Sequence, residues 1–236
     1  MDSPTLDYRT LDFRLIEIEL ELFALEDHLN LIEQQIRNKE AFEKIKSRQN
    51  IKKLNLTPED PEWYAEQQEL DYILEFLIPR FFRGPFLVSL YAVYESAVIE
   101  IAKLIQKKRG TSISINDIKG DFFERANKYY KDVIDFPLYS DDEAWQRIKM
   151  FSVLRHAIAH ANGRIEMVND KTKQSIANLE KKKVGVSSMS GFVIIEERFL
   201  KDTLGLIRES LNNLVKQYKM WDNQQRAHAG KPVPPG

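Results

Sequence analysis

Between Leu11 and Ile36 apolar residues recur at spacings of three and four: Leu11, Leu15, Ile18, Leu22, Leu25, Leu29, Ile32 and Ile36. The residues between them are largely charged. An α-helix turns once in about 3.6 residues, so this spacing collects the whole set on one face, which a strand cannot do. The stripe predicts one long helix from about Tyr8 to Lys53. Its apolar face must be buried against another helix, of this chain or of a partner. The simpler arrangement is an arm packed along its own domain. Residues 1–56 are therefore expected to form an N-terminal helical extension, residues 57–222 the main helical domain, and residues 223–236 a flexible tail.

The rest of the chain keeps the helical pattern. Thr57-Pro58-Glu59-Asp60 offers a helix start, with Pro61 allowing the start to slip to Asp60. That helix is expected to end before Pro79, with a second break at Arg83-Gly84-Pro85. A buried helix is expected next, from about Pro85 to Lys108, ending at Gly110. Ser114-Ile115-Asn116-Asp117 caps a further helix running to about Val133, its aromatics Phe122, Phe123, Tyr129 and Tyr130 read as core. Ser140-Asp141-Asp142-Glu143 has the form of a capping box. After Gly163, Arg164–Val168 alternates like a strand, Asn169-Asp170 reads as a turn, and Gly191–Ile195 as the returning strand. The last helix spans about Glu196 to Trp221. The fold class is all-α: a helical bundle with a long N-terminal helix and a small β-hairpin before the C-terminal helix.

Composition sets outer limits. A hydrophobic fraction of 43% with 30% charged residues supplies material for a core. With no cysteine, disulfides, thiolate catalysis and Cys-held metal are excluded, which is compatible with a reducing, cytoplasmic location. Met1-Asp2-Ser3-Pro4 lacks the basic region and apolar run of a signal peptide. In the apolar stretch Pro85–Ile105 the charges of Glu95, Glu100 and Lys103 argue for a buried helix and against a membrane span. A net charge of −1 does not advertise nucleic-acid binding, yet it allows a local basic patch.

One segment concentrates chemistry. Leu154-Arg155-His156-Ala157-Ile158-Ala159-His160-Ala161-Asn162-Gly163 holds two of the four histidines, beside an arginine. On a helix with Arg155 at zero, His156 falls at roughly 100°, His160 at roughly 140°, Ala159 at roughly 40° and Ser152 at roughly 60°. Leu154, Ala157, Ile158 and Ala161 take the opposite side, and alanine at position 159 leaves room for a ligand. A guanidinium suits phosphate oxygens, and imidazoles move protons near neutral pH. Together they suit attack of a ribose 2′-OH on its adjacent phosphate. His160 would serve as base or acid and Arg155 would steady the charged phosphorus, with no metal or cofactor required. One helix supplies one set of groups, so a second copy across a two-fold axis would complete the acid–base pair.

The run Arg155-His156-Ala-Ile-Ala-His160-Ala-Asn-Gly163 resembles the signature of the HEPN superfamily: arginine, a polar residue, a few small or apolar residues, then histidine. Leu90-Tyr91-Ala92-Val93-Tyr94-Glu95 resembles the buried helix that pairs with the motif helix there, and the hairpin with a terminal amphipathic helix is similar to several subgroups. The resemblance covers about residues 60–222. It implies a metal-independent endoribonuclease working as a homodimer on RNA, of the kind found among bacterial toxins and antiviral effectors, with an antitoxin or other inhibitory protein as a further partner. It makes Arg155 and His160 the catalytic pair and puts His156 where asparagine is common. Ser152, Asn162 and Glu95 are candidates for support, Glu95 through pairing with Arg155 or His156.

Other readings stand beside these. One is a non-cutting HEPN module that binds a nucleotide or partner protein; another is a helical scaffold acting through the Tyr8–Lys53 stripe. His156 and His160 have a zinc-compatible spacing, but no third ligand is evident nearby. Glu95 has an ordinary reading as a structural salt bridge. Lys181, Lys182 and Lys183 are read as a loop at the hairpin tip near the motif, either solvated or in contact with RNA.

Overall fold

The computed structural model describes residues 13–139 and 142–229. The chain is all-α with one small antiparallel hairpin ahead of the C-terminal helix. In chain order the helices are α1 (Phe13–Lys53), α2 (Pro61–Asp71), α3 (Ile78–Arg109), α4 (Phe122–Lys128), α5 (Asp142–Ala161), α6 (Asp170–Lys181) and α7 (Glu197–Ala229). The strands β1 (Val186–Met189) and β2 (Phe192–Ile195) lie between α6 and α7. The start of α1 before Phe13 and the capping box at Ser140 and Asp141 fall outside the described residues.

The described residues form two compact units: one of residues 13–24, 93–139 with Asp142, and 208–229, the other of Leu25–Ala92 and Glu143–Ile207. Along α1 the stripe Leu15, Ile18, Leu22, Leu25, Leu29, Ile32 and Ile36 is buried within the chain.

In the first unit Tyr94, Phe122, Phe123, Tyr129 and Tyr130 are core, as their spacing implied. Tyr94 meets Phe122 edge-on at 6.1 Å between ring centroids, and Tyr130 donates its hydroxyl to the Val98 carbonyl at 2.7 Å. Burial raises the Tyr94 phenol to about 12. The expected single helix over 116–133 is instead three short pieces: a 3-10 turn at Ile115–Asp117, α4, and a wide π turn at Tyr129–Val133. Ser114 and Asp117 do form the reciprocal cap. Ile118 is extended and Gly120 sits at φ +125°, which ends the first turn before α4 begins.

The expected breaks at Pro79 and at Gly84-Pro85 do not occur. From Pro61 to Arg109 the chain is helical throughout, passing from α2 through a π turn at Tyr72–Leu77 into α3. The wide turn, in which the Ile78 N–H reaches back to the Ile73 carbonyl, lets the helix pass a residue that cannot donate. Pro85 lies inside α3. This stretch is long and apolar enough to cross a membrane, and half of its most apolar window is buried within the fold. The start of α2 slips to Asp60 as allowed. Pro61 takes the first helical position, while the Asp60 carboxylate accepts from the Thr57 N–H at 2.6 Å, which holds its pKa low.

The hairpin is present but pairs differently from the expectation. Val186–Met189, not Arg164–Val168, is the partner of Phe192–Ile195, in the register Val186 to Ile195 and Met189 to Phe192. Ser190 and Gly191, both at positive φ, make the two-residue turn. Closing two residues costs less chain entropy than closing the long lysine-rich segment. Of the expected strand only a single bridge, Arg164 to Phe192, remains. Asn169 is not a turn residue but the cap of α6, accepting from the Thr172 N–H at 2.9 Å. The buried residues of α6, Thr172, Ile176 and Leu179, are obscured in the sequence by the lysines around them. Finally, α7 continues to Ala229, so residues 223–229 are helical where a flexible tail was expected.

Candidate functional site

Helix α5 buries Ile148, Phe151, Leu154, Ala157 and Ala161. The spacing of these residues leaves Arg155 at the edge of the buried face and sends His156, Ala159 and His160 to solvent. Asn162 and Gly163, at φ +50° and +78°, end the helix, and the Gly163 N–H closes its last turn on the Ala157 carbonyl at 3.0 Å. The chain leaving the helix meets the hairpin turn at once: the Ile165 N–H donates to the Gly191 carbonyl, and the Val193 N–H to the Gly163 carbonyl, each at 2.9 Å. The end of the motif helix is thereby pinned to β2.

Arg155 is half-buried, its guanidinium carbon 4.8 Å from the centroid of the Tyr91 ring on α3. Its Nε is buried and has no hydrogen-bond partner. Among the described residues no carboxylate forms an ion pair with it. A buried cationic N–H without an acceptor is costly unless a ligand supplies one. The rings of His156 and His160, one helical turn apart, have centroids 4.7 Å from each other and are tilted by 48°. Both are exposed to solvent. The arrangement is a half-buried guanidinium whose Nε lacks an acceptor, on one side of the helix, and two exposed imidazoles further round it.

Ser152 is half-buried, one turn before Arg155 on α5. Asn162 is exposed, and its backbone carbonyl accepts from Arg80 Nη2 at 3.1 Å. Glu95 belongs to the other compact unit, and its ion pair there is with Arg125 at 3.9 Å, a different partner from the Arg155 or His156 expected. Lys181 ends α6, with Lys182 and Lys183 in the turn after it, all three exposed. They are not at the hairpin tip, which is Ser190-Gly191, because α6 occupies the segment between. Among the described residues no three His, Cys, Asp or Glu side chains gather as a metal-binding set.

No family model matches the chain, and neither a curated protein nor a solved structure matches it.

A cavity of about 410 Å³ adjoins the motif helix, bounded by α3, α5 and β2. Ala159, which the sequence marks as leaving space, lines it together with Asn162 and Ile158. Across from them stand Arg80, Val88 and Ser89 of α3. Arg80 is not a candidate by sequence. Its only signal there is a charged residue beside an expected helix break, which reads as surface.

Proposed function

We propose that this chain is a metal-independent endoribonuclease of the HEPN type, acting on RNA as a homodimer. The observation that carries the reading is Arg155: a half-buried guanidinium with a ring beneath it and no carboxylate partner among the described residues, on the same helix as two exposed imidazoles. That combination suits phosphoryl transfer, where catalysis is positioning together with charge stabilisation.

In this reaction one imidazole takes the proton of the ribose 2′-OH. The 2′ oxygen bonds to phosphorus, and the bond from phosphorus to the 5′ oxygen breaks. A second imidazole, in its protonated form, gives its proton to the leaving oxygen. Arg155 holds the non-bridging oxygens as charge builds on them. The products are a 2′,3′-cyclic phosphate and a 5′-hydroxyl. On a single helix Arg155 and His160 point roughly 140° apart. A second copy, presenting its own α5 across a two-fold axis, supplies the missing acid or base. Such a nuclease fits a toxin or antiviral role, held in check by an inhibitory protein and acting in the cytoplasm.

The cavity beside Ala159 favours a second reading, a HEPN module that binds a nucleotide without cutting. The two are separated by incubating single-stranded RNA with the full chain and with Arg155→Ala and His160→Ala. The nuclease reading expects cyclic-phosphate ends from the first alone, and losses of at least about a hundredfold in the variants. Binding without any cyclic-phosphate product favours the module. Equal degradation by all three proteins rejects both assignments of the site.

A further inference from the structure

The cavity between α3, α5 and β2 has a composition that the catalytic proposal does not use. Its walls are apolar at Val88, Ile158 and Val193, and polar at Ser89 and Asn162. At one end stands Arg80. Its guanidinium carbon is 4.2 Å from the centroid of the Phe192 ring, 4.9 Å from that of Phe81 and 5.4 Å from that of Phe76. Three rings and the Asn162 carbonyl hold this cation in place. Among the described residues no carboxylate pairs with it, and its Nε is buried without an acceptor. The charge is thus fixed in position and left unneutralised, which suits an anion.

The cavity also lines up with the catalytic arginine. Relative to Arg155, Ile158, Ala159 and Asn162 lie within roughly 60° around the helix. Asn162, where Arg80 is anchored, is seven residues further on, about 10 Å along the axis. A strand whose scissile phosphate sits at Arg155 therefore passes the cavity with a neighbouring nucleotide.

We infer that this cavity is a nucleotide subsite for single-stranded RNA, resting on the nuclease reading above. The base of a nucleotide next to the scissile phosphate lies between Val88 and Ile158, with Ser89 and the Asn162 amide at its polar edge. Arg80 binds that nucleotide's phosphate. A volume of about 410 Å³ is within the usual range of small-ligand pockets, roughly 300–1,000 Å³. Unstacked bases of single strands, unlike those of a duplex, are free to enter such a pocket.

The test uses full-length protein carrying His160→Ala, so that bound RNA survives, and a fluorescent single-stranded RNA read by anisotropy. Ala159→Phe fills the cavity from an exposed helical position. Arg80→Ala removes the cation. Each is expected to weaken binding by about tenfold or more. Arg80→Ala should also lower the slope of log affinity against log salt by about 0.7, the contribution of one phosphate on a single strand. Should Arg80→Ala fail to fold, Ala159→Phe carries the test alone. Wild-type cleavage of RNA with unchanged binding in both variants overturns the subsite and leaves the nuclease reading standing. Loss of dimerisation in Ala159→Phe, by sedimentation, overturns it too, since the cavity then seats the second copy. If the unmodified chain neither binds nor cuts RNA, the nuclease reading fails first and the subsite with it.

Discussion

The Arg155 guanidinium lies over the ring of Tyr91, 4.8 Å from its centroid, and Tyr91 in turn packs against Phe151 at 5.6 Å. A residue of α3 thus orients the proposed phosphate-binding cation of α5. A cation over an aromatic face gains about 0.5–2 kcal/mol. Tyr91→Leu should therefore lower kcat/KM on single-stranded RNA by about 2- to 30-fold. Tyr91→Phe keeps the ring and should cut at close to the wild-type rate. Steady-state cleavage by the three proteins, each checked for folding by circular dichroism, decides it. An undiminished rate in Tyr91→Leu would show that the ring is not needed to aim Arg155.

Arg83 grips Glu33 with two nitrogens, Nε to Oε1 at 2.8 Å and Nη2 to Oε2 at 2.7 Å, and its Nη1 also donates to the Ile195 carbonyl at 3.2 Å. Both side chains are largely buried. Removing one partner leaves an uncompensated charge, so Glu33→Ala or Arg83→Ala should each cost about 3–5 kcal/mol in urea unfolding. The double replacement Glu33→Leu with Arg83→Met should cost much less than the sum of the two single changes. Additive losses would mean that the pair is not coupled.

Gly163 has room for a side chain, since an added Cβ would meet only Val193 backbone atoms at 3.7 and 3.9 Å. Its φ of +78° is the difficulty. Gly163→Ala is expected to cost about 1–2 kcal/mol through the left-handed backbone alone. A much larger loss in chemical denaturation would point to a steric clash that this geometry does not contain.

The Glu197 carboxyl is held below its ordinary value, first by the hydrogen bond from Lys201 and further by the Arg83 and Arg37 guanidiniums. A carboxylate depressed on folding adds stability above its unfolded pKa, about 4.3, and that stability is lost as pH falls through the lower folded value. Unfolding free energy measured from pH 6 down to 2 should therefore fall less steeply in Glu197→Gln than in wild type. Parallel curves for the two proteins would remove Glu197 from the acid response.

Much of the frame is legible in local pattern. The buried stripe of α1, the aromatic core at Phe122 to Tyr130, the reciprocal cap at Ser114 and the helix end at Gly163 all depend on residues three or four apart, or on one backbone angle. The differences share another origin. Pro79 and Pro85 read as breaks because their missing donors are local, while the packing that carries the helix past them is not. The lysines near α6 hide its apolar face at Thr172, Ile176 and Leu179. The hairpin partner differs from the expected one because Val186-Ser187-Ser188-Met189 does not alternate in sequence, while its two-residue turn to Phe192 closes at a lower entropy cost than the long segment from Val168.

At the candidate site the same division holds. That Arg155, His156 and His160 share one helix, with Leu154, Ala157 and Ala161 turned inward, follows from helical periodicity alone, because 3.6 residues per turn is a property of the backbone. Nothing local could place Tyr91 under Arg155, or bring Arg80 to the carbonyl of Asn162, 82 residues away. Those contacts exist because residues 78–92 of α3 and 143–161 of α5 bury apolar side chains in the same unit, with β2 beside them. Burial is a cooperative property of the whole core, and the cavity between these elements belongs to no segment on its own.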